Sequence, residues 1–147
     1  MMHDVIIVGG SYAGLSAGLQ LARARRKVLV IDAGQRRNRF AATAHGFLSQ
    51  DGQAPDVIAA EGRSQLMEYP SVTWVQDSVL QAATAPGGFR VHTQYNGGFE
   101  GRRLILATGV VDELPALEGL AERWGKHVFH CPYCHGYELD QGRIGVL

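Results

Sequence analysis

Cysteine is scarce in this chain, with two among 147 residues, and proline occurs only five times. Two cysteines cannot staple a small secreted scaffold, so the core has to come from apolar packing. The 46% apolar content is enough for that. Net charge is missing as well: fourteen basic and fourteen acidic side chains cancel. No overall field then draws the chain to nucleic acid or anionic lipid. The one basic run, Arg23, Arg25, Arg26 and Lys27, falls where a helix should end, and cations there complement the helix dipole. No stretch approaches the ~20 apolar residues of a membrane span. The opening "MMHDVIIVGG" has no basic n-region and no small-residue cleavage site, so a secretory signal is not expected and the cytoplasm is. In that compartment a cysteine pair serves catalysis or metal binding rather than bracing. Internal repeats and low-complexity tracts are lacking too.

What is present begins with "DVIIVGG", a short apolar strand of the kind found in sheets covered on both faces. The helix "YAGLSAGLQLARAR" follows, with Leu15, Leu19 and Ala22 on one face, and then a second buried strand, "KVLVID". This is a βαβ unit, whose right-handed crossover makes the two strands parallel neighbours. Its turn, Gly9-Gly10-Ser11-Tyr12-Ala13-Gly14, puts Ser11 where dinucleotide-binding loops usually carry their middle glycine. Gly9 permits the tight turn, a small residue at 11 lets backbone amides approach a pyrophosphate, and Gly14 lets helix and strand pack closely. Phosphates would meet the helix N-terminus, where free N–H groups favour anions. Asp32, eighteen residues past Gly14, ends the second strand and is placed to accept a ribose hydroxyl. Its charge disfavours a 2′-phosphate, so FAD or NAD is expected here rather than NADP.

Residues 33–53 read as a long polar loop, a length that usually carries function. Pro55 suits the start of a helix running to about Glu68. The segments "SVTWVQ", "SVLQAAT", "GFRVHTQY" and "GRRLILATG" read as an antiparallel meander punctuated by "PGG" and "NGG" turns, with "RLILA" a buried strand. After Gly109, "VVDELPALEGL" is a Pro- and acid-bearing connection of the sort found at domain borders. "GRIGVL" looks like the first strand of another glycine-led βαβ unit.

Between these lies "HCPYCHGYE", residues 130–138, which holds both cysteines. Three chemistries can use it. C-x-x-C-H is the attachment signature of c-type haem, but haem attachment normally goes with export. His127, His130, Cys131, Cys134 and His135 could offer zinc four ligands, yet consecutive side chains at 130–131 and 134–135 diverge. A dithiol that opens and closes suits the context best: two intervening residues let the thiols meet, and Pro132 restricts the loop.

The succession of "VIIVGGSYAGLSAGLQLAR", a meander, "LILATG" and C-x-x-C resembles the thioredoxin reductase-like flavoproteins of the pyridine nucleotide-disulfide oxidoreductase family, over essentially the whole chain. The resemblance implies an α/β fold: a three-layer Rossmann-like FAD-binding domain with an inserted antiparallel meander. Residues 1–114 would be the N-terminal part of that domain. Residues 115–147 would hold the connection, the redox segment and the first strand of a truncated NAD(P)-binding domain. It implies that Gly9, Gly10, Ser11, Ala13, Gly14, Asp32, Thr108 and Gly109 bind FAD. Arg37, Asn38 and His45 in the long loop and Val79 in the meander are carried over with them. Cys131 becomes the interchange thiol and Cys134 the flavin-proximal one. NADPH would act in a longer parent, itself a homodimer, with a thioredoxin-like protein or a small dithiol or disulfide as partner. Residues 1–147 alone should hold FAD poorly.

One departure bears on direction. Bacterial thioredoxin reductases usually follow the second cysteine with aspartate, whereas "CPYCHGYE" has His135 there. That variant is similar to flavin-dependent dithiol oxidases that close disulfides in gliotoxin- and holomycin-type natural products. A histidine can accept a proton at neutral pH. Three readings therefore stand: a reductase, a dithiol oxidase using oxygen, and a non-enzymatic truncated fragment.

Overall fold

In the computed structural model, which describes residues 2–146, the chain divides into two compact units. One takes the residues up to Arg37 together with Ala59–Val110; the other takes Asn38–Ile58 and the residues from Val111 onward.

The first unit is built on one six-stranded sheet in the order β3-β2-β1-β6-β5-β4. Its strands are β1 (Met2–Val8), β2 (Val28–Asp32), β3 (Val72–Gln76), β4 (Val79–Ala85), β5 (Gly88–Thr93) and β6 (Gly98–Leu106). Helix α1 (Tyr12–Arg23) joins β1 to β2, and α2 (Pro55–Met67) precedes β3. β1 lies between β2 and β6 and is parallel to both. Because both faces of the central strands are covered, successive apolar residues are buried in opposite directions. Val5, Ile7, Val28 and Val30 pack with Leu15, Ala22, Leu66 and Val72 on one face. Ile6, Leu29 and Ile31 pack with Val91 on the other, flanked by Val8, Val75, Val79, Phe99 and Leu104. Each such side chain contributes roughly 1.5–3 kcal/mol when fully buried. Helix α1 ends as the basic run suggests: Arg25 is left-handed (φ 58°) and the Arg26 N–H donates to the Leu21 carbonyl at 3.0 Å.

Three expectations need correction. "SVTWVQ" does not belong to the meander: β3 pairs parallel with β2, Val28 opposite Val72 through Asp32 opposite Gln76. With α2 between β2 and β3, the connection is a second crossover, which parallel pairing requires. The alternation that suggested a meander reflects an edge strand, exposed at Thr73 and Gln76. The meander is β4-β5-β6, turned by Pro86-Gly87 and Gln94–Gly97, and it continues the parallel sheet through β6. Secondly, "RLILA" is only half-buried, and Leu106 is 68% exposed. Thirdly, residues 142–146 form no strand, since a strand needs a neighbour to satisfy its backbone; Leu147 lies outside the described residues.

The β5–β6 turn is held by a buried carboxylate. Asp77 Oδ1 accepts the Ser78 N–H at 2.7 Å, and Oδ2 accepts the Tyr95 and Asn96 N–H groups at 3.0 and 2.9 Å and Asn96 Nδ2 at 2.7 Å. Burial by itself would raise this carboxyl, but the donors from Asn96, Tyr95, Ser78 and Thr93 outweigh it and hold Asp77 well below the usual carboxylate range. A depressed folded value gives stability that is present above the unfolded pKa of ~3.9 and lost as pH falls below it. Asp77→Asn is therefore expected to lower the urea midpoint at pH 7 with the m-value unchanged. The gap to the native chain should narrow at about pH 3, and equal midpoints at both pH values would refute the role.

The second unit is mostly turns, with a 3-10 turn over Arg37–Phe40 at its border and two short helices, α3 (Leu120–Arg123) and α4 (Pro132–His135). Its two chain segments pack closely. A Cβ built at Gly125 (φ +73°) would come within 2.7 Å of Phe40 Cβ.

Candidate functional site

The glycine loop follows β1 at the C-terminal end of the parallel strands, where open α/β sheets bind ligands. Gly9 (φ +103°) lies so close to β6's continuation that a Cβ would run into the Ala107 carbonyl oxygen. The Ala107 N–H donates to the Val8 carbonyl at 2.8 Å, so the Ala107-Thr108-Gly109 segment leaves the sheet beside the loop. A Cβ at Gly14 would collide with the Gly9 carbonyl, and one at Gly10 would enter the Trp74 ring, 2.6 Å from Cζ2. Gly9 and Gly14 answer to close backbone approach, and Gly10 to the Trp74 ring, rather than to loop flexibility.

Ser11 caps α1 in extended conformation. Its carbonyl accepts the Leu15 N–H at 2.8 Å while its side chain makes no capping bond. The N-terminus of this twelve-residue helix meets the loop, where its N–H groups and dipole favour an anion. Asp32 Oδ1 accepts the Gly10 N–H at 3.0 Å, which fixes the carboxylate against the loop and leaves further acceptor positions on it. Gln76 Nε2 and the Asp77 N–H hold the Asp32 carbonyl at 2.8 and 3.0 Å. Trp74 backs this corner, with the Arg63 guanidinium 4.4 Å above its ring and its Nε1 buried without a partner. Ala13, Thr108 and Gly109 are exposed around the loop. These residues fit a dinucleotide with a free ribose diol. Val79 packs, partly buried, at the margin of the Ile6 cluster. Arg37 and Asn38 sit in the 3-10 turn.

In the second unit Cys131 and Cys134 form a disulfide, Cα–Cα 5.4 Å. Cys131 caps α4, with Pro132 in the first turn, and its sulfur accepts the Cys134 N–H at 3.1 Å. Cys131 is half-buried and Cys134 exposed. His135 packs its ring 4.2 Å from Phe129, tilted by 30°. Burial pushes its pKa below the ordinary imidazole value, Glu138 opposes that, and His130 and His45 add to the lowering. A neutral imidazole beside a disulfide can take a proton from an arriving thiol. His130 stacks on Trp124 at 5.7 Å. Among the described residues, no three or more His, Cys, Asp or Glu side chains converge on a possible metal position.

His45 turns up in an unforeseen setting. Its Nε2 faces Glu138 Oε1 at 3.3 Å and Thr43 Oγ1 at 3.1 Å, and its Nδ1 faces Asp51 Oδ1 at 3.6 Å. Glu138 and Trp74 are the residues that sequence reasoning did not assign to a site. Glu138 lies in the turn three residues past the end of α4, and no local pattern marked it.

Residues 3–146 match the family described as pyridine nucleotide-disulphide oxidoreductase. Among curated proteins, the thioredoxin reductase tcpT of Claviceps purpurea is 39% identical over 147 residues, covering 98% of this chain and 46% of that protein. Among solved structures, an oxidoreductase from Agrobacterium tumefaciens is 60% identical with a TM-score of 0.91, covering 96% of this chain and 48% of its own. The crystal structure of HlmI is 42% identical with a TM-score of 0.87, covering 92% and 44%. The chain thus spans about half the length of the relatives it matches.

Proposed function

The chain belongs to the pyridine nucleotide-disulphide oxidoreductase family, and from that premise we propose that Cys131 and Cys134 are the redox pair of an FAD-dependent, thioredoxin reductase-like thiol-disulfide oxidoreductase. The observation that carries this reading is the closed pair with His135 one residue beyond it. FAD, bound by Gly9–Gly14, Asp32, Thr108 and Gly109, would supply the two-electron partner of the pair. Residues 1–114 then form the N-terminal part of the FAD-binding domain, and 115–147 the connection, the redox segment and the start of the next domain. NAD(P)H would bind outside these residues in a longer, homodimeric parent acting in the cytoplasm. Thioredoxin-like proteins or small disulfides are its partners.

The chain's own chemistry is thiol-disulfide exchange. An incoming thiol gives its proton to a His135 ring nitrogen and attacks Cys131 Sγ. The Cys131–Cys134 bond breaks and Cys134 leaves as thiolate. The substrate's second thiol then gives its proton to the Cys134 thiolate, attacks the substrate sulfur of the mixed disulfide and releases Cys131 as thiolate, which takes back the proton from His135. The substrate dithiol is oxidised by two electrons and the pair is reduced; the reverse sequence reduces a disulfide. The histidine that follows Cys134 supports a second reading, a dithiol oxidase that passes electrons to oxygen, because an imidazole can accept a proton at neutral pH.

The test follows both cysteines by alkylation and mass spectrometry. A small dithiol should open the pair and become a disulfide in equal amount, and saturating FAD should then re-close it with loss of the flavin's visible absorption. In a protein of the relatives' length, a pair that opens but never bleaches its flavin would overturn the FAD assignment. Supplying NADPH with a disulfide, and separately a dithiol with oxygen, separates the two directions in a protein of the relatives' length.

A further inference from the structure

We propose that Trp74 is a positioning residue for the dinucleotide site, its ring filling the space beside Gly10 and so holding the Gly10 N–H on Asp32. The inference rests on the reading of the glycine loop as the FAD site and names what sets its geometry.

Gly10 is wedged from two sides. A Cβ there would enter the Trp74 ring, 2.6 Å from Cζ2, and come within 2.8 Å of Asp32 Cβ. Gly10 lacks the left-handed backbone of Gly9, so the neighbouring side chains alone demand glycine at this position. Gly9 and Gly14 differ in kind, since a Cβ at either would strike a backbone carbonyl. The ring in turn has little freedom. β3 sets Trp74 opposite Val30 and Gln76 opposite Asp32, so the ring and the carboxylate come off the same face of the sheet. Trp74 packs against the cluster that contains Val30 and Leu66, and the Arg63 guanidinium of α2 lies 4.4 Å from its ring centroid. Its Nε1 is buried without a partner, so a hydrogen bond is not what holds the indole here. What the indole supplies, and a smaller ring would not, is the Cζ2 edge against Gly10. The filled space keeps the loop from collapsing toward β3 and withdrawing its N–H from Asp32 Oδ1, 3.0 Å away.

A double-mutant cycle tests the pair, read as FAD affinity by flavin fluorescence titration of a protein of the relatives' length. Trp74→Phe should raise the dissociation constant roughly tenfold, the low end for loosening a hydrogen bond to a charged group. Gly10→Ala should raise it by more, because the added methyl has no room. The two together should bind FAD roughly tenfold more tightly than Gly10→Ala alone, since the trimmed ring admits that methyl; independent lesions would add instead. Trp74→Phe should not rescue Gly14→Ala, whose methyl would meet backbone. A double variant no tighter than Gly10→Ala, or equal rescue of Gly14→Ala, would overturn the proposal. A second readout needs no ligand. In the unliganded chain, hydrogen exchange of the Gly10 N–H should quicken roughly tenfold in Trp74→Phe while that of Ile7, in the centre of β1, stays as in the native chain. Unchanged Gly10 exchange would overturn the proposal even where Gly10→Ala does not fold. Quickened exchange in a protein that never binds FAD would count against the proposed function alone.

Discussion

Replacing His135 with alanine should slow the opening of the Cys131–Cys134 disulfide by a small dithiol roughly 10²- to 10⁴-fold at neutral pH, the span usual for removal of a general base. The reaction needs only this chain: mix the oxidised protein with dithiol, quench with an alkylating agent and weigh the products. Geometry and charge combine here. The ring is fixed against Phe129 one residue after Cys134, and burial keeps it in the neutral, accepting form. In the native chain the rate should rise with pH through the imidazole titration, because imidazolium cannot take a second proton. That rise should begin below the ordinary histidine value, in keeping with the downward shift. The alanine variant should follow the ionisation of the attacking thiol alone, and far-UV circular dichroism should be unchanged. A rate within about threefold of native would remove His135 from the mechanism, given the size of the general-base effect.

Asp32→Ala is expected to weaken FAD binding by roughly 10- to 150-fold, equivalent to losing a charge-assisted hydrogen bond of ~1.5–3 kcal/mol. Two losses contribute. The ribose would lose its acceptor, and the Gly10 N–H would lose the carboxylate that now holds it at 3.0 Å. Asp32→Asn separates them, since its amide oxygen can still accept from Gly10 while the charge is gone; it should fall between alanine and native. Flavin fluorescence titration reads all three constants. An alanine variant binding FAD within about twofold of native would sink the assignment, because no charge-assisted bond is worth so little.

The central architecture was legible because its signals are local. "DVIIVGG" and "KVLVID" are apolar on both faces, and a glycine loop with an acid at the next strand end has few structural solutions. The C-x-x-C pair was legible for the same reason: its ring closes within four residues. The misreadings arose where partners are remote in sequence. Nothing within "SVTWVQ" states which strand it meets; α2, placed before it, decides that the pairing is parallel. The exposure of Leu106 and the absence of a strand at 142–146 likewise depend on neighbours that the segments themselves do not encode. His45 shows the limit most clearly. Its ring nitrogens face Glu138, Thr43 and Asp51, one of them from a distant segment. A pair separated by more than ninety residues leaves no trace in local pattern.

The chain's two tryptophans fall one to each compact unit, Trp74 beneath the glycine loop and Trp124 beside His130. Each half of the molecule thus carries its own fluorophore. With Trp74→Phe the remaining emission comes from the cysteine-bearing unit alone, and with Trp124→Phe it comes from the sheet. Melting curves of the two single-tryptophan chains would show directly whether the halves come apart together or in sequence.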